Sequence, residues 1–351
     1  MMNSKERVLK ALNHCPTDRV PIALCFGWWL PQVEQSLREF FYLRAASTLN
    51  SVFNFDFYWV EPVYRGPALV KAPDGHRLGI FGTPEYSDTY SQEFWRPLAS
   101  ATSTAEIENY PWPQIDWLDV SSVTHFANLY QEYAIVAPNN WSPIFCQMAD
   151  LCGYETALAN LITEPKLTKA LIEKISEWNC ARWQKVLNAA PGLIDIAYVG
   201  DDVASQTGML FRPELWRRYF KSVYAKQFQI AKSRGVKVMF HICGACRDIV
   251  PDLIDIGLDI LMPLQLSAKG MDPVELKREF GNHLTFWGGV DVQNFLPYAS
   301  PDEVRQEVRR LIDILGQDGG YVLSSSHNFQ PDTPVENIVA MYDEAARYYP
   351  Y

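Results

Sequence analysis

The chain has 351 residues, 48% of them hydrophobic, which is material for two ordinary domains or one large α/β domain. A formal net charge of −10 without any concentrated Lys/Arg run excludes a nucleic-acid footprint, because phosphate binding needs clustered cations. The opening MMNSKERVLKAL lacks the apolar centre of a secretory leader, no run of about 18 apolar residues occurs, and 7 scattered cysteines suit reduced thiols, so a soluble cytoplasmic protein is expected.

In chain order, Asn3 or Ser4 caps a first helix through Leu12, with Val8, Leu9 and Leu12 on one side. The run PIALCFG (21–27) reads as strand one, residues 31–50 as helical, and FDFYWVEP (55–62) as strand two. Residues 63–133 carry turn chemistry at Gly66-Pro67, Pro73-Asp74-Gly75 and Gly82-Thr83-Pro84, then the Pro/Trp-rich YPWPQIDWLDV at 110–120. They are too long for a bare loop and read as a β-rich excursion followed by a helix, with a lid as its role. Six further apolar runs then alternate with helices: 134–139, 194–200, 236–243, 260–265, 284–291 and 321–327. Apolar on both faces, they are expected to be parallel strands covered by helices. Asp272-Pro273-x-Glu275, Ser300-Pro301-x-Glu303 and Thr333-Pro334-x-Glu336 each offer an N-cap acceptor, proline at N1 and glutamate at N3. The helix from Pro301 places Val304, Val308, Leu311 and Leu315 on one face and stops at Gly316. Eight strands alternating with helices predict a (β/α)8 TIM barrel, one domain over 1–351, with a doubly wound sheet as the competing architecture.

In a barrel, the residues just past each strand share one rim. Here they are Glu61, Asn139 and Asn140, Asp201 and Asp202, His241 and Cys243, Gln265, Asp291, and His327 with Asn328. A polar set that follows apolar runs so regularly reads as chemical. His241 and Cys243 carry the sharpest signal, because residues i and i+2 of a strand point to one side and imidazole plus thiolate is a good zinc pair. A catalytic zinc usually takes three protein ligands, and His327 is the preferred third, with Glu61, Asp201 and Asp291 as oxygen alternatives. Cys246 lies past the Gly244 turn, where a helix can begin. The plain reading of His-x-Cys is a core histidine beside a cysteine acting as a small hydrophobe. Asp201, Asp202 and Asp291 are candidates for proton handling, against capping or bracing roles. Glu61, Asn139, Gln265 and Asn328 are candidates for substrate binding. His14, His76, His125 and His283 read as surface or structural, Trp216, Phe220 and Val223 as core, and aromatics near the first strand ends as pocket lining.

SKERVLKALNHCPTDRVPIAL, PLASATSTAEIENYPWPQIDWLDV, HICGACRDIVPDLIDIGLDILMPLQ, FWGGVDVQ and SSSHNFQPDTPVENIVAMYDEA together resemble the uroporphyrinogen decarboxylase superfamily over nearly the whole chain. The resemblance implies one (β/α)8 domain. True uroporphyrinogen decarboxylases carry an RQAGR element after the first strand to hold porphyrinogen carboxylates. CFGWWLPQVEQ stands there in this chain, without arginine. The His-x-Cys-Gly element instead resembles the cobamide-dependent methyltransferase branch, whose zinc is held by His, Cys and a further Cys. His241 and Cys243 match, whereas the last cysteine is replaced by Ser324 to Ser326 and His327. What the resemblance implies is zinc-dependent methyl transfer between a small methylated donor or thiol and a corrinoid carried by a separate partner protein. A metal-free decarboxylase and a non-catalytic small-molecule binder are the alternatives, and a homodimer is left open.

Overall fold

Strands that are apolar on both faces are stable only where each edge finds a parallel partner and each face a cover. Seven of the runs meet that demand as one sheet: β1 (Phe57–Trp59), β2 (Ala134–Val136), β3 (Ile196–Gly200), β4 (Lys237–His241), β5 (Ile260–Leu264), β6 (Thr285–Val290) and β7 (Tyr321–Ser325). The computed structural model describes residues 2–43, 48–73, 75, 77–84, 95–138 and 143–349. Spatial order follows chain order and every pairing is parallel, so each connection crosses back over the same outer face. The result is a curled, barrel-like α/β fold.

Residues 21–24 do not form the full strand expected of them. Ile22 makes a single parallel bridge to Leu323, and its carbonyl accepts the Asp56 N–H from the β1 side at 3.0 Å. Two local causes shorten it. Pro21 has no N–H to give, and the Ile22 N–H is taken by the Asp56 carboxylate at 2.8 Å.

Strand alternation divides the core in two. Phe57, Val136, Tyr198, Met239, Met262 and Trp287 turn inward and pack on one another inside the curl. Their neighbours, such as Ile135, Val199, Val238 and Phe240, turn outward against Trp183, Trp216, Phe220 and Phe228 of the helical cover. The expected core stripe of Trp216, Phe220 and Val223 is buried there.

Three of the four helix starts with an expected side-chain cap have it. Asn3 Oδ1 accepts the Glu6 N–H at 2.8 Å, Asp272 Oδ1 accepts that of Glu275 at 3.0 Å, and Ser300 closes a reciprocal capping box with Glu303. The third Pro-Glu start differs, since the last helix runs Val335–Arg347 and Thr333 caps nothing. Its anchor is Asn337, whose amide donates to Leu296 O at 2.8 Å and Ala299 O at 2.7 Å. The helix Pro301–Leu315 does stop at Gly316, but with right-handed φ of −85°. Lys277 Nζ closes that end by donating to the carbonyls of Leu315, Gln317 and Gly319.

Between β1 and β2 the described residues hold less strand than the turn chemistry suggested. Val63–Tyr64 pairs antiparallel with Leu118–Asp119, two single bridges join Lys71 to Arg77 and Leu78 to Pro84, and helices cover Thr104–Glu108 and Ser121–Leu129.

At the end of the sheet opposite the strand C-termini, Asp56 is fully buried between Arg7 and Arg19, with bonds of 2.8 and 2.7 Å. Nearby, His14 lies against Gly320, where an added Cβ would come within 2.7 Å of its Nδ1. Burial, with the positive charges of Lys277 and Lys237 and with His283, holds the His14 imidazole below its ordinary value. The fold therefore favours the neutral ring. That contribution is complete above a pH of about 6.5 and is lost as pH falls below it. His14→Gln is expected to flatten the decline of the urea midpoint between about pH 7 and about pH 5. An unchanged decline would show that His14 is not its source.

Candidate metal centre

Within β4, Met239 belongs to the inner core whereas Val238 and Phe240 belong to the outer one. Two residues on from Met239, His241 inherits the inward side, and Cys243 follows it. The carboxylate comes from the neighbouring strand. Gly200 pairs with His241, and Asp201 N–H donates to His241 O at 2.9 Å, so the chain past β3 stays in step with β4 and brings Asp202 alongside.

Asp202, His241 and Cys243 offer ligand atoms that all lie within 4.8 Å of one another. His241 Nε2 is 3.2 Å from Cys243 Sγ and 3.6 Å from Asp202 Oδ1. Tetrahedral bonds of about 2.0–2.3 Å require ligand atoms roughly 3.4–3.6 Å apart, so both His241 separations suit zinc, and the Asp202–Cys243 pair, within 4.8 Å, would close to that range on binding. His241 is 2% exposed, whereas the Asp202 side chain is 44% exposed, so the group opens on its carboxylate side.

Electrostatics sharpen the picture. Burial acts to raise Asp202, but the hydrogen bond and charge of His241 and the Cys243 N–H outweigh it and hold the carboxyl below its usual range. Burial, and then the Asp202 charge, push the Cys243 thiol well above its ordinary value. Without a cation the site therefore keeps a thiol, and metal binding there would release a proton.

His327 is not a member of the compact group. Its ring centroid is 6.3 Å from that of His241, and the Phe26 ring lies 5.1 Å from each. Burial and His241 push the His327 imidazole down to about 4, against the pull of Asp202, so it is neutral near pH 7. A neutral imidazole beside Phe26 is a wall that can still accept a hydrogen bond.

The other rim residues have other partners. Asp201 is buried and accepts from the N–H groups of Ile144, Phe145 and Cys146 and from Tyr224 Oη, at 3.2, 2.7, 3.0 and 2.7 Å, capping the helix Phe145–Cys152. Burial raises its pKa despite those donors. Glu61 pairs with the buried Arg182 at 2.7 Å. Asp291 folds onto its own turn, accepting from Gln293 N–H at 2.7 Å and Asn294 Nδ2 at 3.3 Å. Gln265 Oε1 accepts the Gly244 N–H at 2.7 Å. Asn328 is buried with its Oδ1 unpartnered, and Asn139 lies outside the described residues. Sequence reasoning missed Phe26 and Tyr224. Phe26 stands in the apolar PIALCFG and carries no polar signal. Tyr224 adjoins Val223 on an obvious core helix, and only its hydroxyl could have suggested a buried acceptor.

The family model described as uroporphyrinogen decarboxylase (URO-D) matches residues 142–348. A uroporphyrinogen decarboxylase of Alkalilimnicola ehrlichii is 23% identical, covering 96% of this chain and 92% of that protein. A methylated-thiol–coenzyme M methyltransferase of Methanosarcina mazei is also 23% identical, over 70% of this chain and 64% of its own length. Among solved structures, a methyltransferase from Methanosarcina mazei superposes with a TM-score of 0.67 at 18% identity, covering 99% of both chains, which is a likeness of fold.

Proposed function

Because the chain belongs to the uroporphyrinogen decarboxylase (URO-D) family, we propose that it is a zinc-dependent methyltransferase that moves a methyl group between a small methylated donor or thiol and a corrinoid on a partner protein. The observation that carries this reading is the convergence of Asp202, His241 and Cys243 at the strand ends. Asp202 then takes the third position that the sequence assigned to His327. In this reading 1–351 is one barrel domain, with the Ile22 bridge in the place of the eighth strand and the 63–133 excursion as its lid.

When bound, the ion would supply Lewis acidity, lowering a thiol pKa or polarising the heteroatom of the donor. His241 and Cys243 would hold it as imidazole and thiolate, and Asp202, on the exposed side, would complete the set next to the incoming substrate. Phe26 and His327 would exclude water from one flank. The methyl group would move without its bonding electrons: the pair stays on the atom it leaves, and the acceptor, a reduced corrinoid or a thiolate, supplies the pair of the new bond.

The stretch CFGWWLPQVEQ, without the arginines that hold porphyrinogen carboxylates, supports such a donor over a polycarboxylate. The second reading, a metal-free decarboxylase, has the full-length A. ehrlichii relative in its favour. The two part in one assay. Cob(I)alamin incubated with the protein and a panel of methoxylated, methylamine and methylthiol donors should yield methylcobalamin, and Cys243→Ser should abolish the product. Carbon dioxide release from a carboxylated substrate by chelator-treated protein, with no methyl transfer from any donor, would establish the decarboxylase instead.

A further inference from the structure

The turn that carries Cys243 is held both from within the ligand set and from outside it. Cys243 N–H donates to Asp202 Oδ1 at 3.2 Å, and Ala245 N–H donates to Ser205 O at 2.8 Å. Between them, Gly244 has φ of +90°, and a Cβ there would fall 2.4 Å from Ser205 O, so the turn and the Ala204–Met209 hairpin touch backbone to backbone. The Gly244 N–H is buried and reaches one side chain, Gln265 Oε1, at 2.7 Å. The same oxygen accepts Gln206 Nε2 from the hairpin tip at 3.0 Å, and the Gln206 carbonyl accepts the Lys269 N–H at 2.9 Å.

A local irregularity puts Gln265 there. Leu261 pairs with Phe286 and Leu264 with Gly288, three residues on β5 against two on β6. One extra residue in a strand reverses the facing of everything after it. Leu261 and Leu264 accordingly both pack into the outer core, and Gln265, 6% exposed, turns to Gly244.

We infer that Gln265 is a positioning residue, whose amide oxygen locks the Gly244 turn to the hairpin and thereby sets where Cys243 Sγ stands relative to His241 and Asp202. The inference rests on the zinc reading for its functional consequence, but the placement of the thiol is a property of the chain alone. It replaces the substrate-binding role expected from the rim position, since both donors on the oxygen belong to the protein. An apolar side chain of the same length would leave a buried N–H unpaired and the hairpin tip untied.

Gln265→Met removes the acceptor at nearly constant volume, Gln265→Asn withdraws it by one methylene, and Gln265→Glu keeps it. Two readouts apply: zinc affinity by chelator competition, and the alkylation rate of Cys243 in metal-free protein, followed on its own peptide by mass spectrometry. Met and Asn are expected to weaken zinc binding by about 10–100-fold, the range for groups that orient metal ligands. They should also speed Cys243 alkylation several-fold, while Glu stays close to wild type on both. Wild-type affinity and alkylation in folded Met or Asn variants would overturn the inference. If wild-type protein binds no zinc, the methyltransferase reading fails, and the alkylation rates still decide the role of Gln265.

Discussion

Protein purified without chelator is expected to carry stoichiometric zinc, and His241→Ala, Cys243→Ser and Asp202→Asn are each expected to weaken its binding by more than about 100-fold. That bound follows from the 10–100-fold effect of losing groups that merely orient ligands. Here the changes remove a donor from a set whose atoms lie within 4.8 Å. Asp202→Asn is the informative one, because it keeps the shape and the hydrogen bond from Cys243 while deleting the charge. His327→Ala should stay within about tenfold of wild type, its ring being 6.3 Å from that of His241 with Phe26 against both. Competition titration with a chromophoric chelator measures all four. Unchanged affinity in Asp202→Asn with loss in His327→Ala would return the third position to His327. Metal-free wild-type protein with an intact fold would remove the centre altogether.

Asp56→Ala is expected to lower stability by about 3–5 kcal/mol, because removing one partner of a buried ion pair leaves Arg19 without its carboxylate and Arg7 with Asp18 alone. The Asp56 side chain is fully buried and accepts from Arg7 Nη1, Arg19 Nη1 and the Ile22 N–H at 2.8, 2.7 and 2.8 Å. One carboxylate thus ties the first helix, residues 19–22 and the entry to β1 together. For a chain of 351 residues the loss corresponds to a fall in Tm of about 4–7 °C by calorimetry. Asp56→Asn should fall between, since it still accepts from Ile22 but no longer balances two guanidinium groups. Zinc affinity should survive in the folded fraction, because Asp56 precedes β1 and the metal centre lies past the strand ends. A change in Tm smaller than about 2 °C for Asp56→Ala would show the network to be energetically idle.

The rim residues show where local pattern stops being informative. Asp201 and Asp202 are adjacent and chemically identical, and no sequence argument separates them. In the fold they part: one caps the helix Phe145–Cys152 through three backbone N–H groups, while the other stands 3.6 Å from His241. Glu61 reads as an open carboxylate until Arg182, 121 positions away, reaches it. Gln265 stands at a rim position in sequence, and one extra residue in β5 turns it to Gly244.

What depends on neighbours a few positions apart is legible in the order of residues alone. Apolar runs alternating with capped helices specify a parallel, helix-covered sheet, and the spacing of His241 and Cys243 places them on one side of one strand end, because side-chain direction in a strand repeats every two residues. Which third group stands within reach of them emerges only from the tertiary packing. That choice depends on how far neighbouring strands are staggered, where a bulge reverses facing, and which buried donors claim a carboxylate first. These are distances between residues tens of positions apart, and no periodicity along the chain encodes them. The pair at the end of β4 is legible in the sequence, and Asp202 comes within reach of it only because β3 and β4 lie side by side, with Gly200 opposite His241.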